Sequence, residues 1–239
     1  MKLLHISASP RGRQSESLAV AGTFLDTVRE VNPDATIDEW DLWDGTLPPF
    51  GPEAVTAKMT VFAGEQPSGA AAEAWAAAIA TFRRFDEADT YLFSIPMWNA
   101  GVPYILKQFI DVVSQPGLAF GFDPDTGYTG LLQGKRAAVV YTSAVYGPAR
   151  PPTFGSDFQA PYFEDWLRWA GVTDISPRPL PPQPGDRRRR IRPAGRPHPR
   201  PRGRQTPDRG PLAGTPQPPP LRIESASSPG GPNHDRTQR

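Results

Sequence analysis

From Lys2 to Ser176 short apolar runs alternate with longer segments whose apolar residues recur at steps of three and four, and this alternation restricts the fold more than any other feature. Lys2-Leu3-Leu4-His5-Ile6 is the first run and ends at a Ser, Pro and Gly cluster, the pattern of a buried parallel strand followed by a loop. Leu18, Phe24, Leu25, Val28 and Val31 then share one helical face, which predicts a helix from Ser15 to Glu30. Ala35 to Leu42 reads as a second strand, with Ile37 and Trp40 set among acids. Gly69 to Ala88 is Ala-rich, with Trp75, Ile79, Phe82 and Phe85 at helical spacing, and a shorter helix near Glu53 to Phe62 precedes it. Thr90 to Ile95 is a third strand stopped by Pro96. The next helix begins near Pro103, where proline costs no hydrogen bond. Phe120 to Gly130 resembles a hairpin excursion, Ala137 to Tyr141 is a fourth strand, Tyr162 to Ala170 an aromatic-rich helix, and Val172 to Ser176 the start of a fifth strand. Alternating strands and helices predict an α/β fold: a doubly wound, five-stranded parallel sheet covered on both faces.

Composition changes abruptly after Ser176. Residues 1–176 carry 12 Lys and Arg against 21 acids, a net charge of −9, whereas residues 177–239 carry 14 Arg against 4 acids, a net of +10. The overall charge of +1 is therefore a cancellation and says nothing about partners. The last 63 residues also hold 17 of the 31 prolines and contain no Phe, Trp, Tyr or Lys, so they have little from which to build a core. The expectation is a domain over residues 1–176 and a disordered Pro/Arg-rich tail over residues 177–239. GC-rich DNA read out of frame gives this mixture of Pro, Arg, Gly and Ala, so the tail is read as a frameshifted translation. Pro177, Pro179, Pro181 and Pro182 are expected to halt the fifth strand.

Cysteine is absent, which excludes disulfides, thiolate metal sites and a Cys nucleophile. His198 and His234 fall in the tail, and His5 sits in an apolar strand where a structural role is expected, so no metal site is predicted. No segment approaches the ~20 apolar residues of a membrane span, and no leader is evident. A cytoplasmic protein without membrane contact is expected.

Ligands of open parallel sheets sit beyond the carboxyl ends of the strands, where strand order reverses. That rule selects three loops. Ser7 to Ser17 offers hydroxyls, Arg11, Arg13 and a helix start, whose free N–H groups and dipole attract anions; the plainer reading of Ser15 is a helix cap. The loop lacks both the Gly-Lys-Ser/Thr ending of a nucleotide P-loop and the spaced glycines of a dinucleotide fingerprint, which suits a single terminal phosphate. Pro96-Met97-Trp98-Asn99-Ala100-Gly101-Val102-Pro103 combines apolar faces with amides, as a flat heteroaromatic ligand requires, though an ordinary turn would also accommodate it. Thr142-Ser143-Ala144-Val145 follows the fourth strand.

Taken together, Ser9, Ser15-Glu16-Ser17, Pro96-Met97-Trp98-Asn99, Leu106-Lys107-Gln108-Phe109-Ile110-Asp111 and Gly130-Leu131-Leu132-Gln133-Gly134-Lys135 resemble the FMN-dependent NADH azoreductases, also described as NADH:quinone oxidoreductases, over residues 1–176. The resemblance implies a flavodoxin-like fold and an FMN cofactor. By it, Ser9, Ser15, Glu16 and Ser17 would hold the phosphate and ribityl chain, Met97, Trp98, Asn99 and Ala100 would line the isoalloxazine, and Thr142, Ser143, Ala144 and Val145 would lie beside it. Two departures stand out. Glu16 replaces a usual Gln, placing a carboxylate near a phosphate. Ala144 and Val145 replace glycines and are expected to crowd that loop.

The resemblance further implies that NADH or NADPH reduces the flavin, which then reduces a quinone or azo acceptor at the same face, with ping-pong kinetics and no catalytic side chain of the protein's own. It implies a homodimer, to which Tyr162, Phe163, Trp166 and Trp169 would contribute if they are not core residues. The competing readings are a non-catalytic flavin-binding or electron-carrying protein, and a folding-impaired product with an Arg-rich nucleic-acid-binding tail. The tail lacks aromatics for stacking, so nucleic acid is not the expected partner.

Overall fold

A computed structural model describes residues 1–147 and 150–179. In chain order it contains β1 (Lys2–Ser7), α1 (Glu16–Val31), β2 (Thr36–Asp41), α2 (Pro52–Phe62), α3 (Gly69–Asp86), β3 (Thr90–Pro96), α4 (Tyr104–Val113), β4 (Phe120–Asp123), β5 (Gly127–Gly130), β6 (Arg136–Thr142), α5 (Ala160–Ala170) and β7 (Asp174–Pro179). Five strands form a parallel sheet in the order β2-β1-β3-β6-β7, and β4 and β5 form a separate antiparallel hairpin. The chain moves outward from β1 to β2, then returns past β1 to β3. Strand order thus reverses between β1 and β3, which opens the crevice where such sheets place ligands.

Period-two alternation along each strand sends side chains to two cores. Leu4, Ile6, Tyr91, Phe93, Ile95 and Val139 face one side, packed with Phe82 and Phe85 of α3, Phe109 of α4, and Phe163 and Trp166 of α5. Phe85 stacks on Tyr91 at 4.3 Å between centroids and meets Phe109 edge-on at 5.3 Å. On the opposite face Leu3, Leu92 and Val140 pack against Ala21 and Leu25 of α1. Phe163 and Trp166 are core residues; Tyr162 is 38% exposed.

The β4–β5 hairpin fulfils the expected excursion. Its turn is closed by Asp123 Oδ1, which accepts from the amides of Asp125 at 3.0 Å and Thr126 at 2.8 Å. Where β5 passes the end of α5, a Cβ on Gly130 would lie 2.3 Å from the Gly171 nitrogen, so only glycine permits the approach.

The expected halt at Ser176 is corrected. β7 continues through Pro177 and Arg178 to Pro179, paired with β6 as far as Tyr141. Pro177 and Pro179 are two apart, so their missing N–H groups face the same way, and β7 is a sheet edge whose one side pairs with β6. The remainder of the expected tail, residues 180–239, lies outside the described residues.

Candidate functional site

Three loops meet at the carboxyl edge of the neighbouring strands β1, β3 and β6. The first leaves β1 at Ser7. Ala8 donates its amide to the Ser94 carbonyl of β3 at 3.0 Å, holding the loop against the central strand. Gly12, at φ +50°, begins a single 3-10 turn, Gly12–Gln14, and the chain then enters α1. Ser15 caps that helix: its Oγ accepts from the Leu18 amide at 3.4 Å and lies 3.0 Å from Ser17 Oγ. The capping role expected as the plainer reading is therefore real. It leaves the first-turn amides, which have no intrahelical acceptor, at the mouth of the loop.

Ser9, Ser15 and Ser17 are all buried, whereas the Glu16 side chain is exposed. Ser9 Oγ is the telling atom. Like the hydroxyls of Tyr91 and Tyr141 elsewhere in the sheet, it is buried with no hydrogen-bond partner among the described residues, a condition that costs about 1–3 kcal/mol unless a ligand supplies one.

Beneath the start of α1 runs a buried polar chain. Ser94 Oγ donates to the Ser17 carbonyl at 3.4 Å, which leaves it to accept from His5 Nε2 at 2.9 Å. His5 Nδ1 faces Glu39 at 3.6 Å. Burial pushes the His5 pKa below its ordinary value, against the pull of Glu39 and Asp41. The structural role expected of His5 holds: it underpins the helix start and does not reach the crevice.

The second loop leaves β3. Trp98 and Gly101 exchange backbone hydrogen bonds, both at 2.9 Å, around Asn99 at φ +48° and Ala100 at φ +67°. These are the only non-glycine residues with positive φ among the described residues. Positive φ at both central positions is the type I′ turn, in which an Ala is strained. The turn is held from outside, because the Ala100 carbonyl accepts from the Phe158 amide at 2.9 Å. Gln159, itself buried, donates Nε2 to the Ile95 carbonyl at 3.2 Å and anchors the start of α5 to the end of β3.

The third loop leaves β6 and is joined to the second by the Met97 amide, which donates to the Thr142 carbonyl at 2.7 Å. Ser143 Oγ accepts from the amides of Tyr146 at 2.9 Å and Val145 at 3.4 Å, folding the loop on itself. Ala144 and Val145 are exposed and neither has positive φ, so the replacement of glycines here imposes no left-handed strain.

The residues selected from the sequence therefore lie on three neighbouring loops and the element ends that flank them, Glu16 and Ser17 in the first turn of α1 and Thr142 at the end of β6. Two aromatic residues were missed. Trp43, in the loop after β2, lies 5.8 Å from Trp98 and 5.2 Å from Tyr104, and Trp98 is 6.2 Å from Tyr104. The three rings make a partly open wall beside the second loop. The carboxyl-edge rule would have found Trp43 had it been applied to the second strand as well. Beyond Tyr104 a shallow groove of about 390 Å³ is lined by Phe50, Gly51, Tyr104, Lys107 and Gln108.

Comparison with known proteins gives the following. The family model described as the flavodoxin-like fold matches residues 1–189. An FMN-dependent NADH:quinone oxidoreductase of Ruegeria pomeroyi is 43% identical over 175 residues, 73% of this chain and 86% of the relative. A protein of the same name from Desulfotalea psychrophila is 42% identical over 175 residues, covering 73% and 82%. Among solved structures, an azoreductase from Bacillus anthracis str. Sterne superposes with a TM-score of 0.68 at 25% identity, over 75% of this chain and 86% of that one.

Proposed function

The chain belongs to the family with the flavodoxin-like fold, and from that membership we propose that it is an FMN-dependent NADH:quinone oxidoreductase. The observation that carries the reading at the level of residues is the buried, unpartnered hydroxyl of Ser9 beside the start of α1, at the strand-order reversal between β1 and β3. A phosphate monoester would complete that hydroxyl and draw on the first-turn amides of Glu16 and Ser17 together with the positive end of the helix dipole. Because the Glu16 side chain is exposed, its backbone serves the anion while its carboxylate stays in water.

FMN supplies the redox chemistry when bound, taking two electrons from NADH and passing them to the acceptor. The protein's share is placement. Met97, Trp98, Asn99 and Ala100 form one wall for the isoalloxazine, and Thr142, Ser143, Ala144 and Val145 the edge beside it. The type I′ turn fixes the backbone of the wall, through its two bonds between Trp98 and Gly101 and the Phe158 tether on Ala100. No side chain needs to exchange a proton with the acceptor. Azo compounds form a second acceptor class, in line with the azoreductase fold neighbour.

A homodimer is part of this proposal. Tyr104 at 63%, Phe158 at 66% and Tyr162 at 38% exposure leave apolar surface on α4, on α5 and in the loop before it. Among the described residues no helix is long and apolar enough to cross a membrane.

The test is direct. The purified full chain, supplied with FMN, should retain it with a flavin absorbance spectrum and oxidise NADH on addition of a benzoquinone, with parallel double-reciprocal lines. A chain that neither retains FMN nor consumes NADH with quinone refutes the reading.

A further inference from the structure

Trp43 touches two of the three loops. Its amide donates to Asp41 Oδ1 at 3.1 Å, which fixes the start of its own loop. Its indole Nε1 donates to the carbonyl of Ala8 at 3.1 Å, thirty-five positions away in the chain. Its ring packs against Trp98 at a tilt of 40° and meets Tyr104 at 83°.

The bond to Ala8 matters because of what lies on the far side of that carbonyl. Peptide units are planar, so orienting the Ala8 C=O orients the Ser9 N–H and the direction in which Ser9 leaves the loop. Ala8 is fully buried, and its own amide is held by Ser94. Trp43 therefore supplies the second of two pins on the residue preceding Ser9. The Ser9 amide faces Ser7 Oγ at 3.4 Å, and its hydroxyl is left buried and unpartnered. Without the indole N–H, the Ala8 carbonyl would be buried without its donor and the peptide would be free to rotate toward another.

We propose that Trp43 is a positioning residue that sets the phosphate-holding loop through the Ala8 carbonyl while bracing the aromatic wall through Trp98, and so gives the site its preference for FMN over riboflavin. The proposal rests on the FMN reading above. The indole N–H acts on the phosphate end and the ring face acts on the isoalloxazine end, so the two contributions separate in variants. Trp43→Phe keeps an aromatic face and removes the N–H. Trp43→Leu removes both.

The experiment is a fluorescence-quenching titration of FMN and of riboflavin on the full chain, in wild type, Trp43→Phe, Trp43→Leu, Ser9→Ala and the Trp43→Phe/Ser9→Ala double variant. Trp43→Phe should lower FMN affinity about tenfold, the effect of one lost buried hydrogen bond, and leave riboflavin affinity unchanged. Trp43→Leu should weaken both ligands. In the Ser9→Ala background the Trp43→Phe effect should largely vanish, because the N–H acts through Ser9. Unchanged FMN affinity in Trp43→Phe, equal losses for both ligands, or strict additivity with Ser9→Ala each overturn the proposal. Wild type that binds neither flavin refutes the FMN reading itself, a result distinct from any of these. If Trp43→Phe does not fold, the indole N–H resonance of Trp43 in wild type decides the matter: it should shift on adding inorganic phosphate alone, which reaches the Ser9 end without an isoalloxazine, and an unmoved resonance overturns the proposal.

Discussion

Trp98 and Gly101 bond to each other twice through their backbones, at 2.9 Å in both directions, and thereby force Asn99 and Ala100 into left-handed conformations. A non-glycine residue there costs about 1–2 kcal/mol. Ala100→Gly should relieve that cost and lose about 0.5–1 kcal/mol to chain entropy, for little net change in melting temperature. Ala100→Val should lower the melting temperature by several degrees and reduce flavin content, because a β-branched residue tolerates positive φ worst. Thermal unfolding of both variants tests this; an unchanged Ala100→Val protein contradicts the strain argument.

Trp98 lies beside the Trp43–Tyr104 pair with a third of its surface open. Trp98→Ala should weaken flavin retention by about 1 kcal/mol or more, the worth of an aromatic stacking surface. Flavin stoichiometry and NADH:quinone turnover are the readouts, and wild-type values in both would remove Trp98 from the proposed wall.

Ser9→Ala separates ligand binding from stability. The hydroxyl is buried without a partner among the described residues, so deleting it should stabilise the flavin-free protein by about 1 kcal/mol while weakening FMN binding. Urea unfolding of the flavin-free chain, paired with an FMN titration, measures both. A loss of stability without FMN would mean that the hydroxyl is already satisfied within the protein.

His5 makes stability depend on pH. Burial lowers its pKa in the folded state below the ordinary 6.5, while Glu39 and Asp41 oppose the shift. The unfolded chain therefore takes up a proton before the folded one does. Stability is fully present above pH 6.5 and declines as pH falls from there toward the folded pKa. His5→Gln, which keeps a donor for Ser94, should flatten that part of the profile. Parallel curves for wild type and variant between pH 7 and 5 would show that other groups carry the dependence.

We propose that residues 180–239, which follow β7 and carry 13 Arg and 15 Pro with no Lys or aromatic residue, are translated out of frame. Sequencing the coding region should reveal a neighbouring frame that continues the fifth strand into a loop and an amphipathic helix. Recovery from the native cell of a protein whose mass matches the 26.1 kDa chain would refute this.

The order of strands and helices was legible in the sequence because a strand buried on both faces is a short continuous apolar run, as in Leu3-Leu4-His5-Ile6, whereas a helix buried on one face repeats its apolar residues near 3.6, as through Phe82, Phe85 and their neighbours. The three loops were legible because a parallel sheet presents its ligand edge at the carboxyl ends of the strands. Local rules also misjudged Pro177 and Pro179, since whether a missing N–H matters depends on which side of the strand has a partner, and only the sheet order makes β7 an edge. They did not reveal Trp43. Its link to Ala8 spans 35 residues and exists only because β1 and β2 lie side by side, with Lys2 opposite Thr36 and Ser7 opposite Asp41. Sequence patterns fix what each segment buries. Which distant groups then meet across the edge of the sheet, and which hydroxyl is left without a partner, is decided by packing in three dimensions.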